Sequence, residues 1–173
     1  MWKKLMPDRY YDSISDIAEA DLAHYGIRAL ICDIDNTLVT YDDPEPTEDA
    51  AAFLLRMQAY GVQIAFVSNN EKERVDRFNA SLGFFASAKS GKPFARELRR
   101  AMAHMGTNET NTAVLGDQIF TDVFAGKRIG LRALLVKPIR DKKSWFFRFK
   151  RFCEIPVLRA YAKAHGEAYR PNV

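Results

Sequence analysis

The sequence predicts an α/β fold, a doubly wound parallel sheet with helices on both faces, and three observations carry that prediction. Short apolar runs recur along the chain, amphipathic stretches of helical length lie between them, and glycines follow the helical stretches. The runs Arg28–Cys32 (RALIC), Gln63–Val67 (QIAFV), Thr112–Leu115 (TAVL) and Arg132–Val136 (RALLV) have the length and the near-continuous apolar character of strands buried on both faces. A fifth short strand is expected over residues 84–88. Thr47–Tyr60 opens on Thr47, Glu48 and Asp49, acceptors suited to a helix N-terminus, and closes at Gly61. Glu71–Leu82 closes at Gly83, and Pro93–Met105 places proline in its first turn with Gly106 just past its end. A weaker helix is expected over Phe120–Arg128. Strands that alternate with helices of this length imply parallel βαβ units.

The chain has 173 residues, 47% of them hydrophobic and 28% charged, the balance of one globular domain with one core. A single domain over 1–173 is expected, with its core at about 27–140, an N-terminal segment 1–26 and a tail 141–173. No run reaches the roughly 18 consecutive apolar residues of a membrane span, and no apolar leader precedes a cleavage site, so a cytoplasmic location is expected. Cys32 and Cys153 lack the spacing of a zinc site or a disulfide framework, and Cys32 reads as strand filling. His24, His104 and His165 are scattered, and Met102 and Met105 read as helix-face packing. The absence of GxxxxGK[ST] and GxGxxG disfavours NTPases and dinucleotide enzymes.

In a sheet of this kind ligands bind beyond the C-terminal ends of the strands. Polar clusters fall at those ends. Asp33 and Asp35 follow the first run, Ser68-Asn69-Asn70 the second, Lys92-Pro93 opens the third helix, and Gly116-Asp117 with Asp122 follows TAVL. Together they meet the needs of phosphoryl transfer, in which a protein positions groups and neutralises charge on oxygens. Asp33 and Asp117 are hard oxygen ligands that suit Mg2+. Asp33 is also a usable nucleophile, Asp35 a proton donor and acceptor, Lys92 a counter-charge, and Ser68 a phosphate contact. Singly, each cluster is more often a turn, a helix cap or an exposed lysine; their order along the chain makes the site.

These motifs, DxDxT at Asp33-Ile34-Asp35-Asn36-Thr37, a hydroxyl at Ser68, Lys92, and GDxxxxD from Gly116 to Asp122, resemble those of the haloacid dehalogenase (HAD) superfamily of phosphohydrolases. Pro7-Asp8-Arg9-Tyr10-Tyr11, DIDNTLV, FVSNN, KP and GDQIFTD are similar to the YqeG-type branch of subfamily IIIA, which includes mitochondrial phosphatidylglycerophosphate phosphatases. The resemblance runs from about residue 5 to about residue 140. It implies a HAD-like Rossmannoid fold and an aspartyl-phosphate on Asp33, with Asp35 and Lys92 as catalytic partners. It further implies phosphate contacts at Thr37, Ser68, Asn69 and Lys92, and an Mg2+ set of Asp33, Asp35 through its carbonyl, Asp117 and Asp122. Asp122 would act through water or through Lys92. The gaps from Asp35 to Ser68 and from Ser68 to Lys92 are too short for a cap domain, so an open, capless site is expected.

Residues 137–152 interleave Lys137, Arg140, Lys142, Lys143, Arg148, Lys150 and Arg151 with Trp145, Phe146, Phe147, Phe149 and Phe152. Trp145, Phe149 and Phe152 fall at helical spacing, the pattern of a helix lying on an anionic membrane, or of one packing its aromatics on the sheet. Nucleic acid is disfavoured, since no RNP-like motif is present. The expected activity is dephosphorylation of phosphatidylglycerophosphate to phosphatidylglycerol at a membrane face. The alternative is a capless phosphatase for a phosphoprotein, nucleotide or sugar phosphate, and behind it stands a non-catalytic receiver-like or lipid- or RNA-binding module.

Overall fold

A computed structural model describes residues 2–140 and 145–166. Six strands, β1 (Arg9–Tyr11), β2 (Ala29–Cys32), β3 (Gln63–Val67), β4 (Phe85–Ser87), β5 (Thr112–Gly116) and β6 (Arg132–Val136), form one sheet in the order β1-β6-β5-β2-β3-β4, with every pairing parallel. The helices are α1 (Glu19–His24), α2 (Glu48–Ala59), α3 (Lys72–Asn79), α4 (Arg96–Met105), α5 (Phe124–Arg128) and α6 (Trp145–His165). This is the expected α/β architecture. The connections around the site hold only a loop with α2, and α3 with β4, so no cap is inserted between them.

The alternation of side chains along β2 builds both layers. Leu30 and Cys32 face a core with Phe53, Leu54 and Met57 of α2, Val75 and Phe78 of α3, and Ile14, Ile17 and Leu22 near the N-terminus. Ala29 and Ile31 face Leu98, Met102 and Met105 of α4 on the other side. On that second side Val114, Ala133 and Leu135 pack with Val157 and Leu158 of α6. Cys32 is fully buried strand filling, and Met102 and Met105 pack as expected.

Three features differ from the sequence reading. Pro93 is not in the first turn of α4, which starts at Arg96; the Lys92–Pro93 peptide is cis and lies in the preceding loop. The segment 119–128 is not one α-helix: a single π-type turn over Ile119–Val123 precedes α5. The N-terminal segment supplies an edge strand that the sequence reading missed. β1 pairs with β6, and Asp8 ahead of it accepts from Lys127 Nζ at 2.8 Å, Arg132 Nη1 at 3.0 Å and the Ala133 amide at 2.8 Å.

Lys142 and Lys143, and the side chains of Phe146 and Phe147, lie outside the described residues. Of the other tail aromatics, Trp145, Phe149 and Phe152 are turned outward, 77%, 53% and 69% exposed, with Trp145 stacked on Phe149. The opposite face of α6 buries Glu154, Val157, Leu158 and Tyr161. The reading in which these aromatics pack on the sheet is therefore not the one adopted.

Candidate active site

The chain leaves the sheet after Cys32, and Asp33 remains tied to it by its amide, which donates to the Leu115 carbonyl at 2.8 Å. The next residues close a tight loop: the Asn36 amide donates to the Val39 carbonyl at 2.7 Å and the Leu38 amide to Ile34 at 2.9 Å. Asn36 takes φ +66°, a left-handed conformation that asparagine tolerates better than most residues. This loop fixes Asp33 and Asp35 two residues apart at the sheet edge.

β5 delivers Gly116 and Asp117 beside them, and the π-type turn brings Asp122 back over Gly116. A β-carbon at position 116 would sit on the Asp122 carboxyl group, which is the physical reason for glycine there. The Gln118 amide donates to Asp122 Oδ2 at 3.1 Å. As a result, carboxylate oxygens of Asp33, Asp117 and Asp122 lie within 4.8 Å of one another, and all three residues are buried. Lys92 enters from the β4–α4 loop and bridges two of them, Nζ lying 2.8 Å from Asp33 Oδ1 and 2.6 Å from Asp122 Oδ1.

Burial dominates the electrostatics. It pushes the Asp33 carboxyl up to about 6, against the pull of Lys92, and the Asp117 carboxyl up to about 7, against the pull of Arg151. For Lys92 burial works against the charged form, but Asp122 and Asp33 outweigh it and hold the ammonium above its ordinary range. Three clustered carboxylates, with no thiol or imidazole among them, form a donor set that fits a hard divalent cation.

The open pocket over this cluster has a volume of about 240 Å³ and is bordered by Asp33, Asp35, Tyr41, Ser68, Lys92 and Lys150. Ser68 is buried, and its Oγ accepts from the Asn70 amide at 3.1 Å. Of the residues expected to touch phosphate, Ser68, Asn69 and Lys92 line this pocket and Thr37 does not. Thr37 borders a neighbouring cavity rather than this one, and its Oγ1 lies 3.5 Å from Asp117 Oδ1, so it braces that carboxylate. The Asn69 side chain buckles the lysine loop: Oδ1 accepts from the Lys92 amide and the Ser90 hydroxyl, each at 2.8 Å, and Nδ2 donates to the Lys92 carbonyl at 3.2 Å.

Asn70 of the Ser68 cluster reaches the site, and so do Arg74, Arg151 and Lys150, which were not picked out for it. Asp35 accepts from Asn70 Nδ2 at 2.9 Å and from Arg74 of α3, whose Nη2 lies 3.0 Å away. Arg151 of α6 lies 2.5 Å from Asp117 Oδ2, and Lys150 donates to Gln118 Oε1 at 3.0 Å. In sequence Arg151 and Lys150 are two cations in a basic run. Only the weak signal of a Glu three residues after Arg151 marks an inward-facing pair.

A parallel sheet with an acidic cluster and a lysine at its C-terminal edge is a site built to handle phosphoryl groups. Residues 16–130 match the haloacid dehalogenase-like hydrolases, and the chain belongs to that family. It is 33% identical over 158 residues to the "Probable phosphatase YqeG" of Bacillus subtilis, covering 91% of this chain and 92% of that protein. Among solved structures, the cobalt-bound deoxy-D-mannose-octulosonate 8-phosphate phosphatase of Haemophilus influenzae shares the fold with TM-score 0.52 and 18% identity, over 81% of this chain and 92% of the other. A putative HAD subfamily III A hydrolase of Legionella pneumophila does so with TM-score 0.50 and 19% identity, over 83% and 89%.

Proposed function

We propose that this chain is a magnesium-dependent phosphomonoesterase that works through an aspartyl-phosphate on Asp33 and takes phosphatidylglycerophosphate as its substrate. The observation that carries the reaction is the buried cluster of Asp33, Asp117 and Asp122 bridged by Lys92 under an open pocket. Asp33 and Asp117, with Asp122 and the Asp35 carbonyl, would hold the magnesium ion, whose charge offsets that of the phosphoryl oxygens. Lys92 fixes Asp33 Oδ1, which leaves Oδ2 to attack phosphorus, and adds positive charge where the transferring group collects. Ser68 presents its hydroxyl to a phosphoryl oxygen from the pocket wall.

Asp35 gives its proton to the departing alkoxide and takes one from the water that cleaves the aspartyl-phosphate. Arg74 is held on Oδ1, while Oδ2, which accepts from Asn70, retains a lone pair that can carry the proton.

The lipid assignment rests on the capless pocket and on α6, which sets Lys150 at the pocket and turns Trp145, Phe149 and Phe152 outward. Among the described residues no helix is long and apolar enough to cross a membrane. A helix lying at an interface, with basic residues near the headgroups, agrees with this surface. The test is phosphate release from phosphatidylglycerophosphate in mixed micelles, compared with sugar phosphates, nucleotides and a phosphopeptide. The lipid should be turned over fastest, and equal or faster turnover of the soluble compounds would overturn the assignment. Asp33→Asn should abolish release from every substrate with the fold intact.

A further inference from the structure

We propose that α6 completes the cation site, with Arg151 as a positioning residue for Asp117 and Glu154 holding Arg151 in place. The proposal rests on the reading of Asp117 as a cation ligand. Arg151 grips Asp117 twice: Nη2 lies 2.5 Å from Oδ2, and Nη1 donates to the backbone carbonyl at 2.7 Å. The same Nη1 lies 2.8 Å from Glu154 Oε2, and Glu154 Oε1 accepts from the Ile119 amide at 2.9 Å. The arginine–glutamate pair thus clasps the segment 117–119 at both ends. It does so in a shielded place, since the Arg151 side chain is 18% exposed and those of Asp117 and Glu154 are 0% and 4%. The helix carrying the pair is anchored by Val157, Leu158 and Tyr161, and the Tyr161 hydroxyl accepts from the Tyr10 amide at 3.1 Å.

An arginine beside a ligand carboxylate has two opposed effects. It fixes the orientation of the carboxylate, and it repels the incoming cation. Here Glu154 decides the balance. Its carboxylate offsets the guanidinium charge, so the pair adds almost no net charge while the planar fork keeps its grip. Orientation therefore prevails, and the clasp raises cation affinity. Partners that orient metal ligands in this way are worth about 10- to 100-fold in affinity.

The experiment titrates the full chain with Mn2+ and follows the free ion by electron paramagnetic resonance, with the melting temperature recorded for each variant. Asp117→Asn should lose Mn2+ binding. Arg151→Ala should bind about 10- to 100-fold more weakly, and methylguanidinium in the buffer should restore much of that affinity. Arg151→Lys keeps the charge but not the fork and should fall between wild type and Arg151→Ala; it carries the test should the alanine variant fail to fold. If Asp117→Asn loses Mn2+ while the Arg151 variants bind within twofold of wild type, or more tightly, the positioning role is overturned and the ligand reading stands. If Asp117→Asn binds like wild type, the ligand reading falls and the proposal with it.

Discussion

Replacing Lys92 by methionine removes the ammonium that bridges Asp33 and Asp122 and keeps most of the side-chain volume. The lysine side chain is 3% exposed, and its Nζ lies 2.8 and 2.6 Å from the two carboxylates. At an effective dielectric near 20, each contact has a gross attraction on the order of 6 kcal/mol. Desolvation offsets much of that attraction, and breaking such a buried pair from one side costs about 3–5 kcal/mol. Lys92→Met should therefore be about 3–5 kcal/mol less stable than wild type at pH 7.5 without divalent cations.

The sign of the pH dependence follows from Asp33. Burial already pushes its carboxyl up to about 6 with Lys92 in place, and loss of the lysine moves it higher. A carboxylate whose folded value lies above its unfolded value loses stability as pH rises between the two. The deficit should thus shrink at pH 5.5, where a proton on Asp33 takes over the neutralising role. The variant takes up a proton across both pH units while wild type takes up part of one as pH falls past 6, so the deficit should shrink by about 1–2 kcal/mol. Urea denaturation followed by circular dichroism, at both pH values and in EDTA, measures this. A deficit below about 1 kcal/mol, or one that is the same at both pH values, would refute the view that Lys92 neutralises the acidic cluster.

Asp8→Ala should cost about 2 kcal/mol, and so roughly 4–8 °C in melting temperature, because three donors lose their acceptor. Burial raises the Asp8 carboxyl, but Lys127, the Ala133 amide and Arg132 prevail and hold it below the ordinary range. Its contribution is present above pH 4 and fades as pH falls through its lowered value, so the gap in stability between wild type and variant should narrow below pH 4. Gly116→Ala drives a methyl group into the Asp122 carboxyl group and should weaken divalent-cation binding at least about tenfold by calorimetry, while the fold survives a cost of about 1–3 kcal/mol. Cation affinity should fall as pH drops from 7 to 6, where Asp33 and Asp117 take up protons that the ion must displace. Calorimetry at pH 6.5 in two buffers of different ionisation enthalpy should show proton release on binding, and its absence would contradict the shifts.

Local pattern made much of the fold legible. β2, β3, β5 and β6 announce themselves as apolar runs because strands buried on both faces need nothing else, and α2 and α4 end where Gly61 and Gly106 take a positive φ, whereas α3 stops at Asn79, short of Gly83. The convergence of Asp33, Ser68, Lys92, Asp117 and Asp122 followed from their positions at strand ends. What escaped depends on partners far away in sequence. β1 is only Arg-Tyr-Tyr, and its strand character comes from β6, more than a hundred residues later. Arg151 is set apart from its basic neighbours only by Glu154 three residues on, until α6 folds back onto Asp117. Asn69 lines the pocket, but its hold on the lysine loop and the contact of Thr37 with Asp117 are hydrogen bonds that no spacing reveals.

β1 also has a protective consequence. β6 is an apolar run, Arg-Ala-Leu-Leu-Val, and β1 covers the side of it that faces away from β5. Without the residues up to Tyr11, β6 would become an open edge whose unpaired amides and carbonyls could recruit a strand from another molecule. At the opposite margin β4 is only three residues long, which leaves little to template on. The N-terminal strand thus serves as a guard against self-association as well as a part of the sheet.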